Sequence, residues 1–216
     1  IATTTLSDYR GNVTELRQHH ERTADAAYDT TRYEYTPSGQ QSKVTDPAGN
    51  VWTTSYDQLG RAVEANDPDK GRTTTKYDDH SQVTSSTDAR NITLVNVYDG
   101  LGRKTAVREG SSSGKLRLSW TYDTVSGAKG FLAESTRYVG DAKYTNKVTQ
   151  YDRLYRPART AVVVPDTEGA LAGTYQSATT YRPSGKIASI SYSAAGSLPG
   201  GAINYGYEDG TLRATS

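Results

Sequence analysis

Along this chain, apolar or aromatic and polar residues alternate in short stretches, each cut off by a cluster of Asp, Gly, Pro or Asn. A period of two reads as β-strand, and clusters of that composition read as turns. In Val51-Trp52-Thr53-Thr54-Ser55-Tyr56, for example, Trp52, Thr54 and Tyr56 share one side and Thr53 and Ser55 the other. Residues 40–45 precede it as a second strand, joined through the turn Asp46-Pro47-Ala48-Gly49-Asn50. Asp accepts backbone N–H groups, Pro presets φ, and Gly takes the conformation that other residues avoid. Asp57-Gln58-Leu59-Gly60-Arg61 turns the chain again, so the spacing predicts one β-hairpin per unit.

That unit recurs. Tyr35, Tyr56, Tyr77 and Tyr98 stand 21 residues apart, and eleven residues after each comes an acid: Asp46, Asp67, Asp88 and Glu109. Tyr122, Tyr151, Tyr181 and Tyr207 continue the series at intervals of 24, 29, 30 and 26. A fixed period in this range marks a repeat architecture, in which each unit leans on its neighbours. The expectation is one array over residues 1–216, a portion of something larger, with regular repeats over 35–121 and expanded ones over 122–207. Side chains of the same parity as the tyrosines include Ile92, Leu94, Leu118, Trp120, Ile203 and Tyr205, although Val95 and Val97 lie opposite. The tyrosines are therefore expected on the better-packed face, aligned as a ladder.

Composition narrows the class. Only 34% of residues are hydrophobic, yet 25 basic residues nearly cancel 24 acidic ones. A disordered chain normally carries a high net charge, and a nucleic-acid binder a basic stripe. The 17 tyrosines favour a pleated sheet. No apolar run approaches the roughly 20 residues of a membrane-spanning helix. Cys and Met are absent, a composition at home in an oxidising exterior. The first residue, Ile1, is read as the start of a segment taken from a longer chain.

Tyr56-Asp57-Gln58-Leu59-Gly60-Arg61 and Tyr98-Asp99-Gly100-Leu101-Gly102-Arg103, with Asp46-Pro47-Ala48-Gly49-Asn50 between units, resemble the YD repeat of the Rhs family. That family includes bacterial polymorphic toxins, wall-associated proteins, the BC component of insecticidal Tc toxins, and teneurins. The resemblance runs from Tyr28 to Tyr207. It implies an all-β fold of repeated antiparallel hairpins, stacked into a curved, spiral, shell-forming sheet. It also implies a secreted or surface location and a structural role, enclosing and helping to deliver a C-terminal toxin polypeptide. The family's arginine- and aspartate-rich C-terminal core has no match here. The residues carried over as structural repeat positions are Tyr35, Tyr56, Asp57, Gly60, Arg61, Tyr77, Asp78, Tyr98, Asp99, Gly102, Arg103, Tyr122, Asp123, Tyr151, Asp152, Tyr181 and Tyr207. Partners implied are neighbouring YD repeats, or copies of the chain joined through sheet edges, and an enclosed polypeptide.

Candidate chemistry is thin. His19-His20 carries metal-ligating side chains, but adjacent strand residues point to opposite faces. Asp67-Pro68-Asp69-Lys70-Gly71 lacks the closing Glu of a calcium loop and reads as a turn. Asp57, Asp78 and Asp99 supply carboxylates, but acids repeated once per unit fit turn caps better than glycosidic catalysis. No enzyme activity, cofactor or metal is expected. Asn12-Val13-Thr14 and Asn91-Ile92-Thr93 match the weak N-glycosylation pattern. Four stretches break the repeat: 13–34, read as a long hairpin tip or a short helix, and the loops 110–114, 165–174 and 194–202. The rival function is cell-surface adhesion or glycan binding, with tyrosine and tryptophan rows stacking on sugars.

Overall fold

The structure, a computed structural model, describes residues 2–23, 26–195, 198–208, 211 and 213–215. Ala24 and Asp25 of the charged run, and Gly196 and Ser197 of the fourth loop, lie outside them. The chain divides into two compact units, residues 1–95 and 96–216.

The first unit is an antiparallel meander. Its strands are β1 (Thr3–Ser7), β2 (Val13–His19), β3 (Tyr28–Tyr35), β4 (Gln41–Thr45), β5 (Val51–Tyr56), β6 (Ala62–Asp67), β7 (Gly71–Tyr77), β8 (Val83–Thr87) and β9 (Thr93–Tyr98), the last running across the division. Each pairs with the next, in registers such as Val44↔Trp52 and Thr54↔Ala65. Most strands are five to seven residues long, which with two turns per hairpin accounts for the period of 21.

The second unit continues the scheme with longer strands: β10 (Lys104–Glu109), β11 (Lys115–Tyr122), β12 (Leu132–Val139), β13 (Ala142–Tyr151), β14 (Pro157–Val164), β15 (Gly173–Tyr181), β16 (Ile187–Tyr192) and β17 (Gly201–Asn204). These too pair in sequence order. Strands of eight to ten residues over β11–β15 account for much of the stretched tyrosine interval.

Three of the irregular stretches resolve into ordered elements. Among the described residues of 13–34 there is no helix: Val13–His19 and Tyr28–Tyr35 are paired strands, Glu15 opposite Arg32 and His19 opposite Tyr28. Alternation within Val13-Thr14-Glu15-Leu16-Arg17 outweighed the helix propensity of its charged residues. Residues 165–174 hold a 3-10 helix, Asp166–Leu171, and the start of β15. Within 194–202, Ala195 bridges Leu198 and β17 begins at Gly201.

Tertiary contact runs between strands consecutive in sequence, and among the described residues no second layer covers a face of either unit. The accessible area, 14344 Å², far exceeds the roughly 9,700 Å² expected of a globular protein of this mass. Among the described residues no large side chain is fully buried; the core positions are small, Ala106, Val107, Ala128, Ala133 and Ala161. Ala106 and Val107 are consecutive and so point to opposite faces. The expected packing contrast between faces is correspondingly weak. Leu94 and Ile203, on the tyrosine side, are 40% and 51% exposed.

Candidate functional site

The repeat residues converge on the turns. At Tyr56-Asp57-Gln58-Leu59-Gly60-Arg61, the Asp57 N–H donates to the Arg61 carbonyl, and Gly60 N–H to the Asp57 carbonyl, both at 3.0 Å. Asp57 Oδ1 accepts from the N–H groups of Leu59 and Arg61 at 2.9 Å, and Oδ2 from Arg61 Nε at 2.7 Å. Asp99 with Leu101 and Arg103, and Asp152 with Leu154 and Arg156, repeat this arrangement. Asp78 caps His80 and Gln82 in the same way. Where Asp is replaced, Thr36 Oγ1 accepts from Gln40 N–H.

At the other hairpin end, the turns at Asp46 and Asp88 use the same loop. Asp46 and Asp88 accept from the N–H of the fourth residue on, Asn50 and Ile92, as Asp8 does from Asn12 in the turn between β1 and β2, at the YD end. The Asp67 carboxylate accepts from the Asp69 and Lys70 N–H groups, which is the work of a turn cap. The fourth loop position takes a positive φ, as at Gly60 (78°) and Gly102 (75°). Ser81 (62°), Asn91 (59°) and Tyr155 (57°) hold the same position without being glycine. Ser81→Gly should therefore raise stability by about 0.5–1 kcal/mol, strain relief exceeding the lost hydroxyl contact. Tyr155→Gly should lower it, because the Tyr155 ring stacks on Phe131 with centroids 4.8 Å apart. Urea midpoints of the two variants test this opposition of sign.

Successive repeats are joined through the tyrosines. The hydroxyl of Tyr56 donates to the Gln41 carbonyl, Tyr77 to Ala62, Tyr122 to Lys104, Tyr151 to Leu132, Tyr181 to Pro157 and Tyr207 to Ile187, at 2.7–3.0 Å. Tyr35 donates likewise to Val13. Each acceptor is the residue just after the preceding YD-type turn. The last side chain of that turn covers the ring: Arg61 over Tyr77 at 4.7 Å, Arg103 over Tyr122 at 4.4 Å and Arg156 over Tyr181 at 4.0 Å. Lys104 lies 5.9 Å from the Tyr98 ring. Among the described residues the aromatic ring contacts are His19–Tyr28, Phe131–Tyr151 and Phe131–Tyr155, none between two repeat tyrosines. The tyrosine ladder is built from hydroxyl–carbonyl and guanidinium–ring contacts.

A second line of bonds links turn to turn. Arg61 Nη1 donates to the Asp78 carbonyl at 3.0 Å, Gln40 Nε2 to Gly60 at 2.7 Å, and Arg182 Nη2 to Tyr205 at 2.9 Å. Arg103 spans two acids, with Nε to Asp99 and Nη2 to Asp123, each 2.7 Å. Asp123 opens an enlarged turn: its N–H donates to the Phe131 carbonyl, eight residues on. Gln40, Arg61 and Arg103, each the last residue of its turn, make three of these links. The carbonyl acceptors carry no side-chain signature.

Electrostatics follow from this geometry. Backbone N–H groups, first that of the turn's own arginine, hold Asp57, Asp99 and Asp152 below the usual carboxylate range. The Arg103 guanidinium, aided by the Gly130 N–H, lowers Asp123 to about 2. In turn Asp123, then Asp99, raise Arg103. These acids titrate lower folded than unfolded, so their stabilisation is complete above the ordinary value near 3.8 and is lost as pH falls towards 2. Melting temperature is expected to drop steeply below about pH 4, and less so in Asp123→Asn. A general acid needs a raised pKa; these carboxyls are shifted the other way and are occupied by donors.

The two histidines separate as their parity requires. His19 is 3% exposed, with Nε2 2.8 Å from Thr4 Oγ1 and Nδ1 3.3 Å from the Ala26 carbonyl. His20 meets Asp29 at 3.2 Å. Among the described residues no group of three or more His, Cys, Asp or Glu side chains is placed to hold a metal.

Residues 35–72 match the family model described as RHS Repeat. No curated protein sequence matches the chain. Among solved structures, the chain is similar to TcdB2-TccC3, with TM-score 0.71 and 15% identity over 98% of this chain and 14% of that one. The Photorhabdus luminescens Tc holotoxin pore gives 0.65 and 14%, covering 98% of this chain and 13% of that one. TcdB2-TccC3 without its hypervariable C-terminal region gives 0.67 and 14%, with 98% and 14% covered. The chain thus spans about one seventh of the length of these structures.

Proposed function

We propose that this chain, whose residues 35–72 match the RHS Repeat model, is a wall segment of a secreted or surface YD-repeat shell that encloses a toxin polypeptide. The observation that carries this reading is the single-layer sheet. Hairpins are fastened edge to edge through their YD turns while both faces stay half-covered. A globular domain hides its apolar residues in a core, whereas a wall needs lateral continuity, which the turn and tyrosine contacts supply. Tyr35, Tyr56, Tyr77, Tyr98, Tyr122, Tyr151, Tyr181 and Tyr207, with Asp57, Asp78, Asp99, Asp123 and Asp152, serve as the fastening in this reading. Gly60, Gly102, Arg61 and Arg103 complete it. Partners are further YD repeats added at strand edges, where unpaired backbone groups template another strand, and the enclosed polypeptide. A glycan array probed with the purified chain tests the role. The wall reading expects no saturable binding to any neutral or acidic glycan; specific binding to one would replace it with adhesion.

A further inference from the structure

On one face of the second unit, the cross-strand pairs Leu118↔Arg137, Trp120↔Ser135, Arg137↔Tyr144 and Ser135↔Asn146 bring six side chains together. They line a depression of about 300 Å³. The small Ser135 leaves the floor low, while Trp120 and Tyr144 are half-buried. Tyr144 is held in place from outside: its hydroxyl donates to Glu168, on the 3-10 helix between β14 and β15. Arg137 and Asn146 are exposed. Among the described residues the Arg137 guanidinium has no ion pair, its nearest partner being the Tyr144 ring at 5.9 Å. Nor do the Trp120 indole N–H and the Asn146 amide have hydrogen-bond partners there.

We propose that this depression binds the carboxylate of an acidic side chain carried by an extended polypeptide. The lining is rich in donors: five N–H groups on Arg137, one on Trp120 and two on Asn146. Acceptors are confined to the Asn146 carbonyl and the hydroxyl oxygens, and no Asp or Glu lines the space. Neutral sugar hydroxyls donate as well as accept, so they would leave this lining unbalanced. A carboxylate only accepts, and it pairs with guanidinium through short, charge-assisted bonds. The Trp120 and Tyr144 rings would pack along the methylene stem of the acid. A volume of 300 Å³ admits one side chain, not a folded partner. Only the choice of a polypeptide as carrier rests on the wall reading; the carboxylate follows from the lining.

The test uses Trp52→Phe, which leaves Trp120 as the sole indole of a chain with two. Its emission is followed at about 150 mM salt, where long-range charge attraction is screened. The probes are acetyl-Gly-Glu-Gly-amide, its Gln counterpart and digalacturonate. A saturable change with the Glu peptide is expected, weakened about tenfold or more with the Gln peptide and in Arg137→Ala. Arg159→Ala, on β14 and outside the depression, should bind as the parent does. Circular dichroism confirms the fold of each variant, with Arg137→Gln replacing any alanine variant that does not fold. Absence of a saturable change, indifference to Glu against Gln, or indifference to loss of Arg137 overturns the proposal. Saturation by digalacturonate alone overturns the polypeptide assignment and, with it, the wall reading. Silence to all three probes overturns only this site.

Discussion

Replacing Tyr77 by alanine is expected to destabilise the chain by about 2–4 kcal/mol, the range for truncating a large, half-buried aromatic side chain. The ring lies under Arg61, with the guanidinium carbon 4.7 Å from its centroid, and the hydroxyl donates to the Ala62 carbonyl at 2.9 Å. Alanine removes both contacts at once and opens the seam between the Asp57 and Asp78 turns. Phenylalanine separates them: it keeps the ring beneath the guanidinium and gives up only the hydroxyl, at a cost of about 1 kcal/mol. Urea unfolding of Tyr77→Ala and Tyr77→Phe should therefore give a graded pair. Two equal losses would place the whole contribution in the hydroxyl; no loss in either would remove the tyrosine from the structural account.

The second large effect is expected at Gly71→Ala, a loss of about 2–4 kcal/mol, from left-handed backbone strain together with overpacking. Gly71 closes the turn that Asp67 caps, with φ at +77°, and an added Cβ would sit 2.6 Å from the Ala89 Cβ. Neither partner is a flexible side chain, so the backbone of one turn has to move against the other. Gly49 is the informative comparison. It has φ at +87° but nothing within 4 Å of an added Cβ, so Gly49→Ala should cost only the strain, about 1–2 kcal/mol. A thermal melt of both variants distinguishes crowding between neighbouring turns from backbone geometry alone.

Much of this architecture was legible because the repeat encodes local rules. The strand at Val51–Tyr56 has the limits its alternation suggested, and Asp57 and Gly60 occupy the turn their chemistry demands. Two features were not legible. The sameness of the two hairpin ends, at Asp57 and at Asp46, was hidden because one turn ends in Arg and the other in Asn; only the hydrogen bonds show a shared loop. The tyrosine hydroxyl contacts were hidden because their acceptors are backbone carbonyls, which every residue has. A well-packed tyrosine face needs a covering layer, and with none among the described residues, the tyrosine-side Leu94 and Ile203 stay half-exposed. The depression around Trp120 and Arg137 depends on registers across three strands. No local pattern in the sequence reports those registers.

The account stands on consecutive hairpins being fastened through an arginine of one turn and the tyrosine of the next. A double-mutant cycle on Arg61→Ala and Tyr77→Ala, read by urea denaturation, tests that link most directly. The predicted result is a coupling of about 0.5–1 kcal/mol, the double variant losing less than the two single losses combined. Strict additivity, with each variant still losing stability on its own, would contradict the fastening and leave the two residues as independent features of separate hairpins.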